Sequence, residues 1–201
     1  MTLAYFDCFS GISGDMTLGA LVDAGLPIEV LRSELAKLNL PGYEITSEKV
    51  KRSGLAATKV HVILDEKEQP ARHLSGIQKI INGSALSPAV KQKSLNIFQR
   101  LAEVEAKVHG TTPEKVHFHE VGAVDAIVDI VGSVIGLEHL GITEVMCSPL
   151  NVGSGTVHAA HGKLPVPAPA TAELLKNIPL YSSSITFELT PPTGAAIIST
   201  L

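Results

Sequence analysis

The sequence lacks tryptophan and has only two cysteines, three tyrosines and five phenylalanines among its 201 residues. Cys8 and Cys147 form no Cys-x-x-Cys pair, and a lone pair in a chain of this size indicates a reducing compartment, so we expect a cytoplasmic protein. Few aromatic side chains, a net charge of −4 and no lysine or arginine cluster argue against a nucleic-acid partner. The sequence also lacks a basic, apolar leader and an uninterrupted apolar run of about 18 residues, so we expect neither a signal peptide nor a membrane span.

The composition is otherwise that of a folded protein. Hydrophobic residues make up 45% of the chain, charged residues make up 18%, and the mean hydropathy is +0.26. A chain of this length and hydrophobicity buries a core without metal or disulfide support, which excludes disorder and small stapled scaffolds. We expect one N-terminal domain over residues 1–201, with a hairpin and helical subdomain at residues 40–110.

Charge is distributed unevenly along the chain. The second half, residues 101–201, has no arginine and only four lysines, against ten acidic residues and six of the eight histidines. Histidines and carboxylates with few cations to neutralise them are typical of a divalent-metal site, and an acidic solvated surface is the alternative.

The hydrophobic pattern predicts an α/β (α+β) fold with a mixed sheet. Residues 3–8 form an apolar run before a turn rich in serine and glycine, and residues 15–24 and 28–38 have helical apolar spacing. Residues 43–65 alternate around Ser53-Gly54, which predicts an inserted antiparallel hairpin. The start of the chain is therefore predicted to be a strand, a glycine-rich turn and a helix.

The remaining pattern predicts a long helix and a buried central helix. Ser87-Pro88 is typical of a helix start, and Gly110 of a helix end, while residues 123–140 are apolar on nearly every side. Residues 181–189 predict a last strand pair. A final helix begins at residue 191 and its pattern is still running at residue 201, so we expect the N-terminal part of a longer protein.

The first candidate site is the turn between the first strand and the first helix. A helix N-terminus offers unpaired backbone amides and a positive dipole end to a phosphate, and Thr190-Pro-Pro-Thr193-Gly194 opens a second helix in the same way. In the alternative interpretation Asp15 is only a helix cap. A metal ion that bridges Asp7 or Asp15 to a phosphate would allow carboxylates and an anionic ligand to lie in the same site. The candidate phosphate-binding residues are Asp7, Ser10, Gly11, Ser13, Gly14, Asp15, Thr193 and Gly194.

The second candidate site is a group of metal-ligating side chains. In an extended segment, His117 and His119 point to one face while Phe118 turns into the core. Asp125 and Asp129 share one face of the apolar helix, where two carboxylates need a cation or hydrogen bonds. In the alternative interpretation Asp125 caps the helix, Asp129 hydrogen-bonds to nearby backbone, and the two histidines are surface residues. The candidate metal ligands are His117, His119, Glu120, Asp125, His158 and His161.

Five segments, in this order along the chain, resemble the nickel-pincer cofactor nickel insertase family (LarC). They are DCFSGISGDM from Asp7, VHFHEVGAVD from Val116 with Asp129 in its helix, NVGSG from Asn151 with His158 and His161-Gly162, PVPAP from Pro165, and TPPTG from Thr190. The resemblance implies insertion of nickel into pyridinium-3,5-bisthiocarboxylic acid mononucleotide, through Ni–S bonds and one Ni–C bond, to make the cofactor of lactate racemase and related enzymes.

The resemblance also implies an enzyme of the lyase or chelatase class that depends on CTP with Mn²⁺ or Mg²⁺, with Ni²⁺ as the substrate metal. Members usually continue into a C-terminal CTP-binding domain, which these residues do not include. Apo lactate racemase is an expected partner, and we expect a homo-oligomer. The turn residues and Thr193-Gly194 would then hold the substrate phosphate or a bridging ion, and the histidine and carboxylate group would handle nickel.

Two other functions use the same residues. A metal-dependent phosphohydrolase would activate water with the aspartates and histidines. A non-catalytic nickel or zinc carrier would bind metal tightly but no mononucleotide.

Overall fold

The computed structural model describes residues 2–65, 72–118, 122–159 and 162–201, which form a mixed α/β fold as the sequence predicts. The helices are α1 (Gly14–Asp23), α2 (Ile28–Ala36), α3 (Leu74–Gly83), α4 (Pro88–His109), α5 (Val124–His139), α6 (Pro169–Leu174) and α7 (Pro192–Thr200). The strands are β1 (Thr2–Phe6), β2 (Tyr43–Arg52), β3 (Leu55–Leu64), β4 (Arg72–His73), β5 (His117–Phe118), β6 (Ile142–Cys147), β7 (Leu150–Asn151), β8 (Thr156–Ala159), β9 (Gly162–Pro165) and β10 (Leu180–Tyr181). None of the helices in the described ranges has the length and hydrophobicity of a membrane span.

Helix α5 is the centre of the core. Twelve of its 16 residues are buried, which confirms the prediction of a buried central helix. Two of its glycines allow a neighbouring helix to approach closely, because they have no side chain. A Cβ at Gly132 would lie 2.9 Å from the side chain of Leu18, and one at Gly136 would lie 2.9 Å from that of Leu21. Helix α1 therefore packs directly on the α5 backbone, and α2, α4 and α7 also contact α5.

The strands pair in twos within the described residues. β1 pairs with β6 and β7 pairs with β10 in parallel, while β2–β3, β4–β5 and β8–β9 are antiparallel. The predicted mixture of parallel and antiparallel pairing is therefore present, but it is divided among five two-stranded sheets. Backbone hydrogen bonds extend the pairing past β1, because the carbonyl of Cys8 accepts from Asn151 at 3.3 Å.

The predicted strand pair over residues 181–189 is wrong for most of its length. Only Leu180–Tyr181 is a strand, and one isolated bridge joins Glu188 to Gly153. The physical reason is that Leu189 bonds to two loops: its amide donates to Val152 and its carbonyl accepts from Ile12. Residues 182–189 are therefore held between loops and form no strand with the part of the chain that the structure describes.

The predicted hairpin and long helix are confirmed with their turn chemistry. β2 and β3 are ten residues each, joined by Ser53 and Gly54, which both have positive φ. Helix α4 begins after Ser87, whose Oγ accepts from the amide of Val90 at 3.1 Å, and ends at left-handed Gly110. These signals are local, which explains why they were visible in the sequence.

The predicted strand, turn and helix at the chain start are also present. Ser13 caps α1, and its Oγ accepts from the amide of Met16. The hairpin packs across this helix, so that a Cβ on Gly19 would lie 2.5 Å from the carbonyl oxygen of Thr58. A separate subdomain at residues 40–110 stays a prediction.

Two glycine-to-alanine variants in helices test this packing. Gly19→Ala forces a Cβ against the backbone of β3, and we expect a loss of about 1–3 kcal/mol in the free energy of unfolding. Gly76→Ala in α3 is the matched control: no atom of another described segment lies within 4 Å of its Cβ position, so we expect a gain of about 0.5–1 kcal/mol from helix propensity. Urea unfolding measures both changes. Equal effects in the two variants would contradict the close contact at Gly19.

Candidate functional site

An open cleft of about 600 Å³ lies where the start of α1, strand β8 and the segment before α7 meet. It brings together parts of the chain that are far apart in sequence, including the predicted residues Ser10, Ser13, Asp15 and His158. The described residues that line it are Ser10, Ser13, Asp15, Met16, Thr156, Val157, His158, Phe187, Glu188, Leu189 and Pro191.

The N-terminus of α1 forms one wall of the cleft. Ser13 caps the helix and its hydroxyl also hydrogen-bonds to Oδ1 of Asp15. The first-turn amides of any helix have no partner within the helix, so this wall combines amide donors with one carboxylate. The turn itself follows from Gly11, whose φ is 79° and whose amide donates to the carbonyl of Cys8 at 2.9 Å.

The N-terminus of α7 meets the same turn. A Cβ at Gly194 would lie 1.8 Å from the carbonyl oxygen of Ile12, so the first turn of α7 lies directly on the backbone that precedes α1. Pro191 at the α7 cap lines the cleft, no cap side chain satisfies this terminus, and its first turn has no acidic residue. Two helix N-termini therefore converge at the cleft, and the positive end of α7 is the one without a carboxylate.

The segment 185–189 forms the wall that the sequence analysis missed. Its backbone packs directly against two glycines. A Cβ at Gly11 would lie 2.0 Å from the carbonyl oxygen of Leu189, and a Cβ at Gly153 would lie 1.8 Å from that of Phe187. Phe187, Glu188 and Leu189 then line the cleft. The two glycines were the only sign in the sequence of a close backbone contact, and nothing in the sequence indicates which segment makes that contact.

A buried carboxylate lies beneath the α1 terminus. Asp129 of α5 contacts Gly14 so closely that a Cβ there would lie 2.4 Å from its Oδ2. Burial, together with the nearby charges of Asp15 and Asp125, raises the pKa of Asp129 to about 8. Its Oδ1 atom is buried and has no hydrogen-bond partner among the described residues. Asp129 is therefore mostly protonated at neutral pH.

His117 has the orientation that the sequence predicts. It is exposed on β5 while Phe118 is buried, and its ring lies against that of His73, with centroids 3.8 Å apart. Nδ1 of His73 is 3.0 Å from the carbonyl oxygen of Val116. A ring whose Nδ1–H donates to a carbonyl leaves Nε2 as a lone-pair donor for a metal ion. The sequence analysis did not identify His73 as a candidate ligand.

The other predicted residues are distributed around these features. Asp7 is exposed at the end of β1, Asp125 is half-buried and accepts from the amide of Ala126, and Thr193 is half-buried in the first turn of α7. His119, Glu120 and His161 lie outside the described residues. Within the part of the chain that the structure describes, no three His, Cys, Asp or Glu side chains form a group that could hold a metal ion.

Comparison with known proteins identifies the family. A family model described as nickel insertion protein matches residues 4–201. Proteins named pyridinium-3,5-bisthiocarboxylic acid mononucleotide nickel insertion protein from two strains of Desulfitobacterium hafniense, DCB-2 and Y51, are each 59% identical over 199 residues, 99% of this chain and 49% of theirs. A protein of Citrifermentans bemidjiense, whose name also refers to nickel insertion, is 58% identical over 201 residues, all of this chain and 52% of its own length. The chain thus spans about half the length of these relatives, and no solved structure matches it.

The raised pKa of Asp129 predicts a pH-dependent stability. Between its ordinary pKa of 3.8 and about 8, the folded state retains a proton that the unfolded state releases. We therefore expect the free energy of unfolding to fall as the pH rises from 5 to 9, and Asp129→Asn to flatten that slope and stabilise the protein at pH 9. Thermal unfolding across this range measures it.

Asp23→Asn is the matched control for this experiment. Asp23 is exposed, and hydrogen bonds from Lys49 and Thr58 lower its pKa, so its titration lies below the range tested. The control should keep the slope of the parent protein. Identical profiles for the parent and Asp129→Asn would contradict a buried, protonated carboxyl group at this position.

Proposed function

The chain belongs to the nickel insertion protein family, and from this premise we propose that it binds pyridinium-3,5-bisthiocarboxylic acid mononucleotide and takes part in inserting nickel into it. The observation that carries the proposal is the convergence of two helix N-termini and His158 on one cleft. Helix N-termini bind phosphates, and imidazole binds nickel, so the cleft offers complementary groups for the two components of the reaction.

The phosphate end of the substrate is assigned to the α7 side of the cleft. The first turn of α7 follows Pro191 of the cleft lining and has no acidic residue, whereas Asp15 stands in the first turn of α1. Thr193 and Gly194 of the α7 turn are the proposed phosphate contacts. Gly11 and Gly14 support this arrangement through close packing rather than through direct contact with the ligand. Ser10, Ser13 and Asp15 then face the sugar or a cation that bridges Asp15 and the phosphate.

Nickel is assigned to the histidines. His158 is exposed in the cleft, and the exposed His117 forms an imidazole pair with the half-buried His73. His119, Glu120, Asp125 and His161 remain proposed ligands from the sequence. Thiocarboxylate sulfur is a softer ligand than imidazole nitrogen, so nickel held by a few imidazoles would transfer to the substrate as Ni–S bonds form.

The activity of the whole protein extends this proposal. We infer a nickel insertase of the lyase or chelatase class that depends on CTP with Mn²⁺ or Mg²⁺ and supplies the nickel-pincer cofactor to lactate racemase and related enzymes. CTP would act through the part of the relatives' length that this chain does not span. A cytoplasmic location, a homo-oligomer and delivery to apo lactate racemase belong to the same proposal.

Calorimetry of Ni²⁺ binding to the untagged 201-residue chain, with and without a pyridinium mononucleotide, tests the proposal. We expect about one equivalent to bind tightly and the nucleotide to strengthen binding. The double variant His117→Ala, His119→Ala should abolish or greatly weaken Ni²⁺ binding, because two imidazoles are lost from the proposed ligand set.

The double variant His61→Ala, His139→Ala is the matched control, since it also removes two imidazoles. His61 is hydrogen-bonded to Glu48 on the hairpin and His139 lies in the last turn of α5. This control should bind Ni²⁺ as the parent does, and equal loss in both double variants would remove the assigned roles. Metal binding without nucleotide binding would favour a carrier, and turnover of a simple phosphate ester would favour a phosphohydrolase.

A further inference from the structure

The cleft contains an exposed aromatic side chain that phosphate binding and nickel binding leave unused. Phe187 is 67% exposed, although it lines the cleft and is one of only five phenylalanines in the chain. Met16, 45% exposed, lies in the same lining, together with the half-buried Val157. Large apolar side chains that remain open to solvent inside a concave site are typical of ligand contacts.

The backbone of Phe187 is held in place, so the point from which its side chain extends into the cleft is fixed. Its carbonyl oxygen lies against Gly153, where a Cβ would be only 1.8 Å away, and its amide donates to the carbonyl of Ile185 at 2.9 Å. The carbonyl of Ile185 also accepts from Oγ of Ser154 at 3.0 Å. The exposed ring therefore belongs to a segment whose backbone directly contacts the loop at Gly153 and Ser154.

The exposed ring of Phe187 favours a cationic ring stacked on its face. The face of an aromatic ring is itself electron-rich and attracts cations within about 6 Å of its centroid. The face of a pyridinium ring would therefore stack on Phe187 and cover the neighbouring apolar surface of the cleft.

We propose that Phe187 is the platform on which the pyridinium ring of the mononucleotide stacks, and that it selects cationic pyridinium rings over neutral rings. The inference rests on the proposed function, because it takes the cleft to be the mononucleotide site. It adds a specificity-determining residue for the ring to the phosphate contacts proposed at α7. Met16 and Val157 complete the apolar surroundings of the ring.

Oxidised and reduced nicotinamide mononucleotide are matched probes for this contact. Both have the same ribose phosphate, but the oxidised ring is a planar cation and the reduced ring is neutral and not aromatic. We expect calorimetry of the 201-residue chain to show about a tenfold preference for the oxidised form, the size of a partly desolvated cation–π contact. Phe187→Leu should lose this preference while still binding the reduced form, and Phe187→Trp should keep it.

Phe9→Leu is the control variant. Phe9 is 64% exposed, close to the exposure of Phe187, but it is not among the described residues of the cleft lining. The variant should therefore keep the preference for the oxidised form. Circular dichroism checks that all three variants fold. If Phe187→Leu retains the preference, or if the parent binds both forms equally, the ring platform is wrong while the mononucleotide site stands. If the parent binds neither form, the mononucleotide site itself is wrong and the ring platform falls with it.

Discussion

Direct contact between backbone segments at glycines is the constraint on which the cleft depends. The Cα atoms of Gly11, Gly153 and Gly194 each lie against a carbonyl group of another segment, at distances that leave no room for a Cβ. Gly14 makes a similar contact with the side chain of Asp129. Because of these contacts the α1 turn, the loop after β7, the segment 185–189 and the start of α7 meet at one point. Any larger residue at these positions would separate the walls of the cleft.

The electrostatics of the site depend on the same packing. Gly14 covers the carboxyl group of Asp129, and burial with two neighbouring aspartates keeps that group protonated at neutral pH. The region around the α1 terminus therefore carries less negative charge than Asp15, Asp125 and Asp129 together suggest. The amides of two helix N-termini add positive potential beside the remaining carboxylates. A site of this kind accommodates a ligand that has both anionic and cationic parts.

A pyridinium mononucleotide, the proposed ligand, has a phosphate at one end and a cationic aromatic ring at the other. In the proposal the phosphate binds at the α7 terminus and the ring stacks on Phe187. His158 lies in the same lining and brings an imidazole close to where nickel would meet the thiocarboxylates. The proposed substrate geometry thus places phosphate, ring and metal in one cleft, with different protein groups facing each.

The sequence by itself determined the mixed α/β class, the hairpin, the buried central helix and the family, because turn residues, caps and hydrophobic periodicity are local signals. It also predicted that His117 faces outward and Phe118 inward, since side chains alternate along an extended segment. It did not predict the short pairings of the strands, the wall formed by residues 185–189 or the contact between His73 and His117. Apart from the β8–β9 pairing, those features arise between residues tens of positions or more apart. Only tertiary packing decides which segment lies against each glycine and which carboxylate is buried.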